Sequence, residues 1–274
     1  VRAGTSATRA LTEEAWAPVL AAAGAQGQEL GEQILAVAHE IASNALRGPL
    51  TDPNRESEDK AALACRLFTG RADARVVELL QGMVRGRWSR AVDLISALHD
   101  LGIQAILSGA QAGGTLDDVE QELFAVAREV AANREIRQAL EPARRTSTDA
   151  RVRLACRLFA SRISGPAMTL VVWSVRHQPE VAVGGVPYNL RRVTELAAAM
   201  QNRVIADVVT AVPLTTAQQA RLREILVRRL GFDVELNLEV DPQVIGGVRV
   251  MVRDLVMDNT VRHSLAGLRT SLTG

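Results

Sequence analysis

Aromatic residues are scarce in this sequence: they make up 3% of 274 residues, with a single tyrosine. A core short of rings must be filled by aliphatic and small side chains, and the many alanines and leucines favour closely packed helices. Two cysteines in a chain this long make no disulfide framework and fit a reducing compartment. An excess of one charge is missing too, since 32 basic residues face 31 acidic ones for a net charge of +1. That balance argues against a dedicated nucleic-acid binder, which carries a basic domain or stripe. No apolar run approaches the roughly 20 residues that span a bilayer. The start, Val1-Arg2-Ala3-Gly4-Thr5-Ser6, lacks the apolar region of a signal peptide. It also lacks an initiator methionine, as a processed chain or a segment of a longer polypeptide would.

Motifs of catalysis and metal binding are equally sparse. The histidines, His39, His99, His177 and His263, are scattered, and none falls in a His-Glu-x-x-His pattern, so they read as solvent-facing residues on helices. Gly113-Gly114 and Gly246-Gly247 lack the spacing of phosphate-binding loops and read as turns. Ser108-Gly109 and Ser164-Gly165 lack the nucleophile elbow. The pairs Arg144-Arg145, Arg191-Arg192 and Arg228-Arg229 are spread out and offset by acids, which suits a solvated face. No metal, no cofactor and no catalytic group is expected.

What is present is a repeat. Leu63–Phe68 and Leu154–Phe159 are both LACRLF, and each contains one of the cysteines, Cys65 and Cys156. Upstream, AVAHEIASN at 36–44 resembles AVAREVAAN at 125–133, and downstream Arg71/Arg162, Leu79/Leu170, Val84/Val175 and Arg85/Arg176 continue the match. The cysteines therefore agree because their surroundings are copies. Each reads as a small, half-buried helix residue. Equivalent positions in two separate bundles rarely approach the Cα separation of about 4.4–6.8 Å that a disulfide needs.

Both copies have helical periodicity. In the first, Leu30, Ile34, Leu35, Val37, Ala38 and Ile41 share a face, followed by Leu63, Leu67 and Phe68 and then by Val76 to Val84. The second repeats this with Val119 to Val130, Leu154 to Phe159 and Met168 to Val175. Trp88 to Leu107 forms a helix between them, and Thr115 is placed to cap the next, with Asp117 and Asp118 in its first turn. The stretch Leu170–Val175 is apolar nearly all round, so it is either wholly buried or docks a partner on its outer side. The same holds more weakly for Val76–Val84.

The pattern changes near Asn202. Arg203 to Val212 reads as a strand, and Thr216 to Leu230 as a helix with a Thr215/Gln218 capping box and Gly231 as its stop. Phe232 to Asp241 alternates as a strand with one wet face, and Val248 to Val252 gives another. Pairing of these last two would set acids opposite arginines. A closing helix uses Val261, Leu265 and Leu268. The expected fold is mainly α with a small α/β C-terminal domain: two tandem helical-bundle repeats, 1–110 and 111–202 sharing the helix 88–107, then a β-α-β-β-α domain over 203–274.

The last third carries a resemblance. AVPLTTAQQ at 211–219 followed by GFDVELNLEVDPQVIGGVRV at 231–250 resembles the delta subunit of bacterial F-type ATP synthases, called OSCP in mitochondria. Where the family's closing turn has glycines, this chain has Arg253 and Asn259; Asn tolerates the left-handed conformation. The duplication, with RWSRAVDL at 87–94, resembles the long delta form of some high-GC bacteria, in some of which the delta part is fused behind a membrane-anchored b-type stalk. The resemblance implies a non-catalytic stator component, peripheral on the cytoplasmic side of the cell membrane. It would link the alpha/beta catalytic head to the b-type peripheral stalk and resist rotor torque during proton-driven ATP synthesis. It further implies a helical part that grips N-terminal helices of the alpha subunits, for which Val77, Leu80, Val84, Leu170, Val171 and Trp173 are the candidates. Val248, Val250 and Val252 are the candidates for meeting the stalk. A generic helical adaptor with a C-terminal dimerisation module is the alternative.

Overall fold

The computed structural model describes the chain apart from residues 1–2, 44, 144–145, 178–184, 202, 231–232, 242–247, 253–254 and 259–274. The described residues form two units, 1–194 and 195–274. The described elements of the first are helices. Its opening set is α1 (Ala3–Ala23), α2 (Gly27–Ser43), α3 (Arg47–Thr51), α4 (Ser57–Phe68), α5 (Ala74–Arg85) and α6 (Ala91–Ala112). There follow α7 (Leu116–Ala132), α8 (Arg134–Leu140), α9 (Thr148–Phe159), α10 (Gly165–Arg176) and α11 (Gly185–Met200), which runs into the second unit.

The sequence repeat is a structural one: α2, α3, α4 and α5 recur as α7, α8, α9 and α10. Copied side chains make copied contacts. Phe68 and Phe159 are buried at the ends of α4 and α9, each under a guanidinium, Arg71 or Arg162, 5.9 Å from the ring centre. Those arginines bind Glu40 at 2.8 Å and Glu129 at 2.6 Å. The entry to α5 is held by Gln33, whose Oε1 accepts from the Asp73 N–H; the entry to α10 is held by Glu122, accepting from the Ser164 N–H. Cys65 and Cys156 are both half-buried free thiols.

Helix α6 packs on α2 of the first copy and on α7 and α10 of the second, and its bounds differ from the 88–107 read from the sequence. Trp88 stays outside the helix because its indole N–H donates to the Met83 carbonyl at the end of α5. The helix begins instead where Asp93 accepts from the Arg90 N–H, and it continues to Ala112. With 22 residues, α6 is long and apolar enough to cross a membrane by length and composition, which the sequence reading missed. Its apolarity has another cause: Leu94, Leu98 and Leu101 fill the first copy's core with Trp16 and Leu20, while Ile103, Ile106 and Leu107 are buried further along. A Cβ added to Gly31 of α2 would lie 2.5 Å from the Gly102 carbonyl oxygen of α6, so glycine lets the two backbones meet. Thr115 precedes α7, with Asp117 and Asp118 in the first turn, but its hydroxyl donates back to the Ala110 carbonyl rather than capping α7.

In the second unit, β1 (Arg203–Thr210), α12 (Thr216–Leu230), β2 (Asp233–Val240), β3 (Val248–Val252) and β4 (Leu255–Asp258) give a sheet ordered β2-β1-β3-β4. The strands β1 and β2 are parallel, joined through α12, and β3 and β4 add antiparallel. The capping box of α12 is present: Gln218 Oε1 accepts from the Thr215 N–H at 2.9 Å, and Thr215 Oγ1 accepts from the Gln218 N–H at 3.3 Å. The strands β2 and β3 do not pair, because β1 lies between them, so the acid–arginine facing that such a pairing would give is absent; Arg249 stands opposite Val209 and Asp258 instead. A parallel connection through a helix brings β2 to one side of β1 and leaves the other side for β3. Ala206, Val208, Val234, Val250 and Val252 share one buried cluster with Leu226 of α12. The strand β4 escaped the sequence reading because four residues give too little alternation to register. Gly231 and the closing helix with Val261, Leu265 and Leu268 lie outside the described residues.

Candidate helix-docking grooves

Two open grooves mark the helical unit. The first, about 450 Å³, lies between α1 and α5. Leu11, Ala15 and Val19 come from α1 and Leu79 and Gly82 from α5, while Arg75, Glu78 and Arg85 form a charged rim. Leu11 is 67% exposed, an unusual position for a large aliphatic side chain. Gly82 keeps the groove wide, since a Cβ there would meet nothing within 4 Å. Arg75 and Arg85 are fixed by Asp73 at 2.9 Å and by Glu58 at 2.9 Å. The Arg75 guanidinium and N–H hold the Asp73 carboxyl down at about 2.

The second groove, about 480 Å³, lies between α2 and α10. Leu35, Ala36 and His39 line it from α2, and Thr169, Val172, Trp173 and Arg176 from α10, with His177 just beyond. Glu32 of α2 accepts a hydrogen bond from Thr169 of α10 at 3.1 Å, tying the two walls together. Beside this groove His39, His99 and His177 converge, contrary to the scattered, solvent-facing arrangement expected; His263 lies outside the described residues. The ring centroids of His99 and His177 are 4.2 Å apart, His39 lies 6.3 Å from His177, and the Trp173 ring stacks on His177 at 5.9 Å. Residues far apart in sequence on α2, α6 and α10 meet here, and no spacing rule could show it.

Burial favours the neutral form of the His99 and His177 imidazoles. His99 is pushed down to about 3, first by burial and then by His177, Arg192 and His39. His177 is lowered as well, chiefly by burial, although its ring contact with the Trp173 carbonyl at 3.0 Å opposes this. Asn189 of α11 donates to the Ser174 and His177 carbonyls and holds the end of α10 in place. Among the described residues, no group of three or more His, Cys, Asp or Glu is placed to hold a metal. Arg192, expected on a solvated face, instead reaches the buried carboxylate of Asp100, which Arg9 also binds.

The residues expected to grip a partner are otherwise placed. Val77, Leu80 and Val84 of α5 and Leu170, Val171 and Trp173 of α10 are all buried. Of the two outcomes open to an all-apolar helix, this is burial. Trp173 alone of the six also lines a groove. The others form the core behind the walls, because a helix between two layers turns its most apolar face inward. The exposed neighbours that line the grooves, Leu11 above all, were missed; a leucine on the polar side of α1 was the available signal. In the second unit Val250 and Val252 are buried against α12, so the stalk surface expected there is core; the Val248 side chain lies outside the described ones. Exposed apolar residues lie elsewhere, at Leu238 and Val240 of the edge strand β2, Ile225 of α12 and Val212.

Comparison with known proteins supplies what geometry alone does not. A model of the ATP synthase delta (OSCP) subunit matches residues 104–272, from the middle of α6 onward. The ATP synthase subunit delta of Beutenbergia cavernae is 40% identical over 275 residues, covering 100% of both chains. The chain belongs to the ATP synthase delta (OSCP) subunit family. Its relatives are non-catalytic subunits of the synthase, and this chain is likewise no enzyme. The Parafrankia sp. subunit delta is 35% identical, covering 99% of this chain and 98% of its own, and that of Acidothermus cellulolyticus is 40% identical, covering 89% and 88%. The family model omits the first helical copy, whereas the Beutenbergia and Parafrankia proteins match across both copies. A chain of the cryo-EM structure of the Toxoplasma gondii mitochondrial ATP synthase hexamer is similar at TM-score 0.41 and 20% identity, over 63% of this chain and 95% of that one.

Proposed function

We propose that this delta-family chain is the stator link of an F-type ATP synthase. Its helical unit grips N-terminal helices of the alpha subunits at the head, and its α/β unit holds the end of the b-type peripheral stalk. The link acts peripherally at the cytoplasmic side of the membrane. It keeps the head from turning with the rotor, so that proton-driven rotation makes ATP. The observation that carries the head contact is the α1–α5 groove, with its apolar walls and charged rim, sized and shaped for the apolar stripe of a helix. Val77, Leu80, Val84, Leu170 and Val171 back the grooves as core, and Trp173, though buried, lines the second. For the stalk, the apolar surface at Leu238, Val240 and Ile225 supports contact better than the buried Val250 and Val252; Val248 keeps its place as a candidate.

Calorimetry with a synthetic alpha-subunit N-terminal peptide tests the head contact. Burying a leucine that is largely exposed stabilises a complex by about 1.5–3 kcal/mol. Leu11→Asp should therefore weaken binding at least tenfold while leaving the fold intact. Absence of binding at high micromolar peptide by the folded wild-type chain sinks the gripping role. Binding of a b-type C-terminal peptide that survives Leu238→Asp combined with Val240→Asp removes β2 from the stalk contact.

A further inference from the structure

The α2–α10 groove is the second copy's counterpart of the α1–α5 groove on one wall only. In the register of Leu79/Leu170 and Arg85/Arg176, the α5 residues Glu78, Gly82, Arg85 and Gly86 correspond to Thr169, Trp173, Arg176 and His177, which line the second groove. The other walls differ. In the register that sets AVAHEIASN at 36–44 against AVAREVAAN at 125–133, Thr8, Leu11 and Thr12 of α1 correspond to Ala97, Asp100 and Leu101 of α6, and all three of these are buried. Because α6 serves both copies, this face is turned into the first core and bound by Arg9, and α2 supplies the second wall instead.

The charges differ as well. In the first groove Arg85 is held by both oxygens of Glu58, at 2.9 and 3.0 Å. The copied pair, Arg176 and Asp149, stands 3.7 Å apart, beyond hydrogen-bond reach. Glu40, the acid on the α2 wall, is engaged by Arg71 at 2.8 Å. The second groove therefore offers a loosely held guanidinium beside His39 and His177. The indole N–H of Trp173 also has no partner within the described structure, and the same is true of Trp16 in the first groove. An unpaired buried donor is destabilising, and each groove has one on a residue that lines it.

We infer that the α2–α10 groove docks a second amphipathic helix, one that carries an acidic residue beside its apolar stripe, with the carboxylate engaging Arg176. This deepens the stator reading and rests on it, since a chain that grips one helix at α1–α5 would then hold two unlike helices. Two linked contacts hold together far more strongly than either alone.

The test uses the intact chain and two synthetic amphipathic helical peptides, identical except for Glu or Gln at the position flanking the apolar stripe. Calorimetry should show the Glu peptide binding about fivefold tighter or more, as a charge-assisted contact provides. Arg176→Gln should erase that difference, whereas Arg85→Gln should preserve it. Val172→Asp should abolish binding and Leu11→Asp should leave it unchanged. Equal affinity for the two peptides, selectivity that survives Arg176→Gln, or binding lost through Leu11→Asp overturns the proposal. If the alpha-subunit peptide still binds through Leu11 while these outcomes hold, the second groove alone is refuted. If neither probe binds, the gripping reading falls with it.

Discussion

Acid should loosen the meeting point of α2, α6 and α10, and His99 provides the measure. Its pKa is about 3 in the folded chain, against 6.5 when unperturbed. A histidine with a depressed folded pKa is neutral in the fold, so the unfolded chain binds the extra proton. Above pH 6.5 the group adds no pH dependence. As pH falls below 6.5 stability is lost, and the loss levels off near pH 3. From those two values the loss is about 0.8 kcal/mol at pH 6 and about 2 kcal/mol at pH 5. His177 is shifted the same way and adds to it. Urea unfolding of the helical unit at pH 7.5, 6 and 5 measures this, with His99→Gln as the non-titrating reference. The comparison must be with the variant, because carboxylates such as Asp73, held at about 2, also lose stability in acid, though at lower pH. Wild type should lose about 2 kcal/mol more than His99→Gln between pH 7.5 and 5. Parallel pH dependences for the two chains would refute the reasoning, because they would mean that His99 is solvated in the fold.

Gly31→Ala would place a methyl 2.5 Å from the Gly102 carbonyl oxygen, so thermal unfolding should show a loss of about 1–3 kcal/mol. Gly82→Ala, with nothing within 4 Å, should instead stabilise the chain by about 0.5–1 kcal/mol through helix propensity. Asp100 is a nearly fully buried carboxylate whose arginine partners are part-exposed. Replacing both arginines, Arg9→Gln with Arg192→Gln, should therefore destabilise more than Asp100→Asn does. The double change strands a buried charge, whereas the single one releases cations to water; chemical unfolding ranks the two. Phe159→Ala should cost about 3–5 kcal/mol in the same measurement, as should Phe68→Ala, because both rings are buried at equivalent helix ends.

Much of this chain is legible without coordinates, because local pattern and duplication are properties of sequence. Helical periodicity marks α2, α4, α5, α7, α9 and α10, and the Thr215/Gln218 box marks the start of α12, since each depends on residues within a few positions of one another. The LACRLF repeat aligns the two copies and explains why Cys65 and Cys156 occur where they do. The motif of the last third names the family, which the comparisons establish. Tertiary structure decided the rest. Whether β2 pairs with β3 or with β1 depends on a helical crossover, and alternation says only that each is a strand. An apolar face can meet its own core or a partner, and the burial of Leu80 and Leu170 beside the exposure of Leu11 shows which leucine does which. His39, His99 and His177 read as isolated because they lie far apart in sequence, and only the packing of α2 and α10 around α6 brings their rings together. The copies are alike in sequence, yet their grooves differ, because one helix cannot serve both copies and still turn the same face to solvent in each.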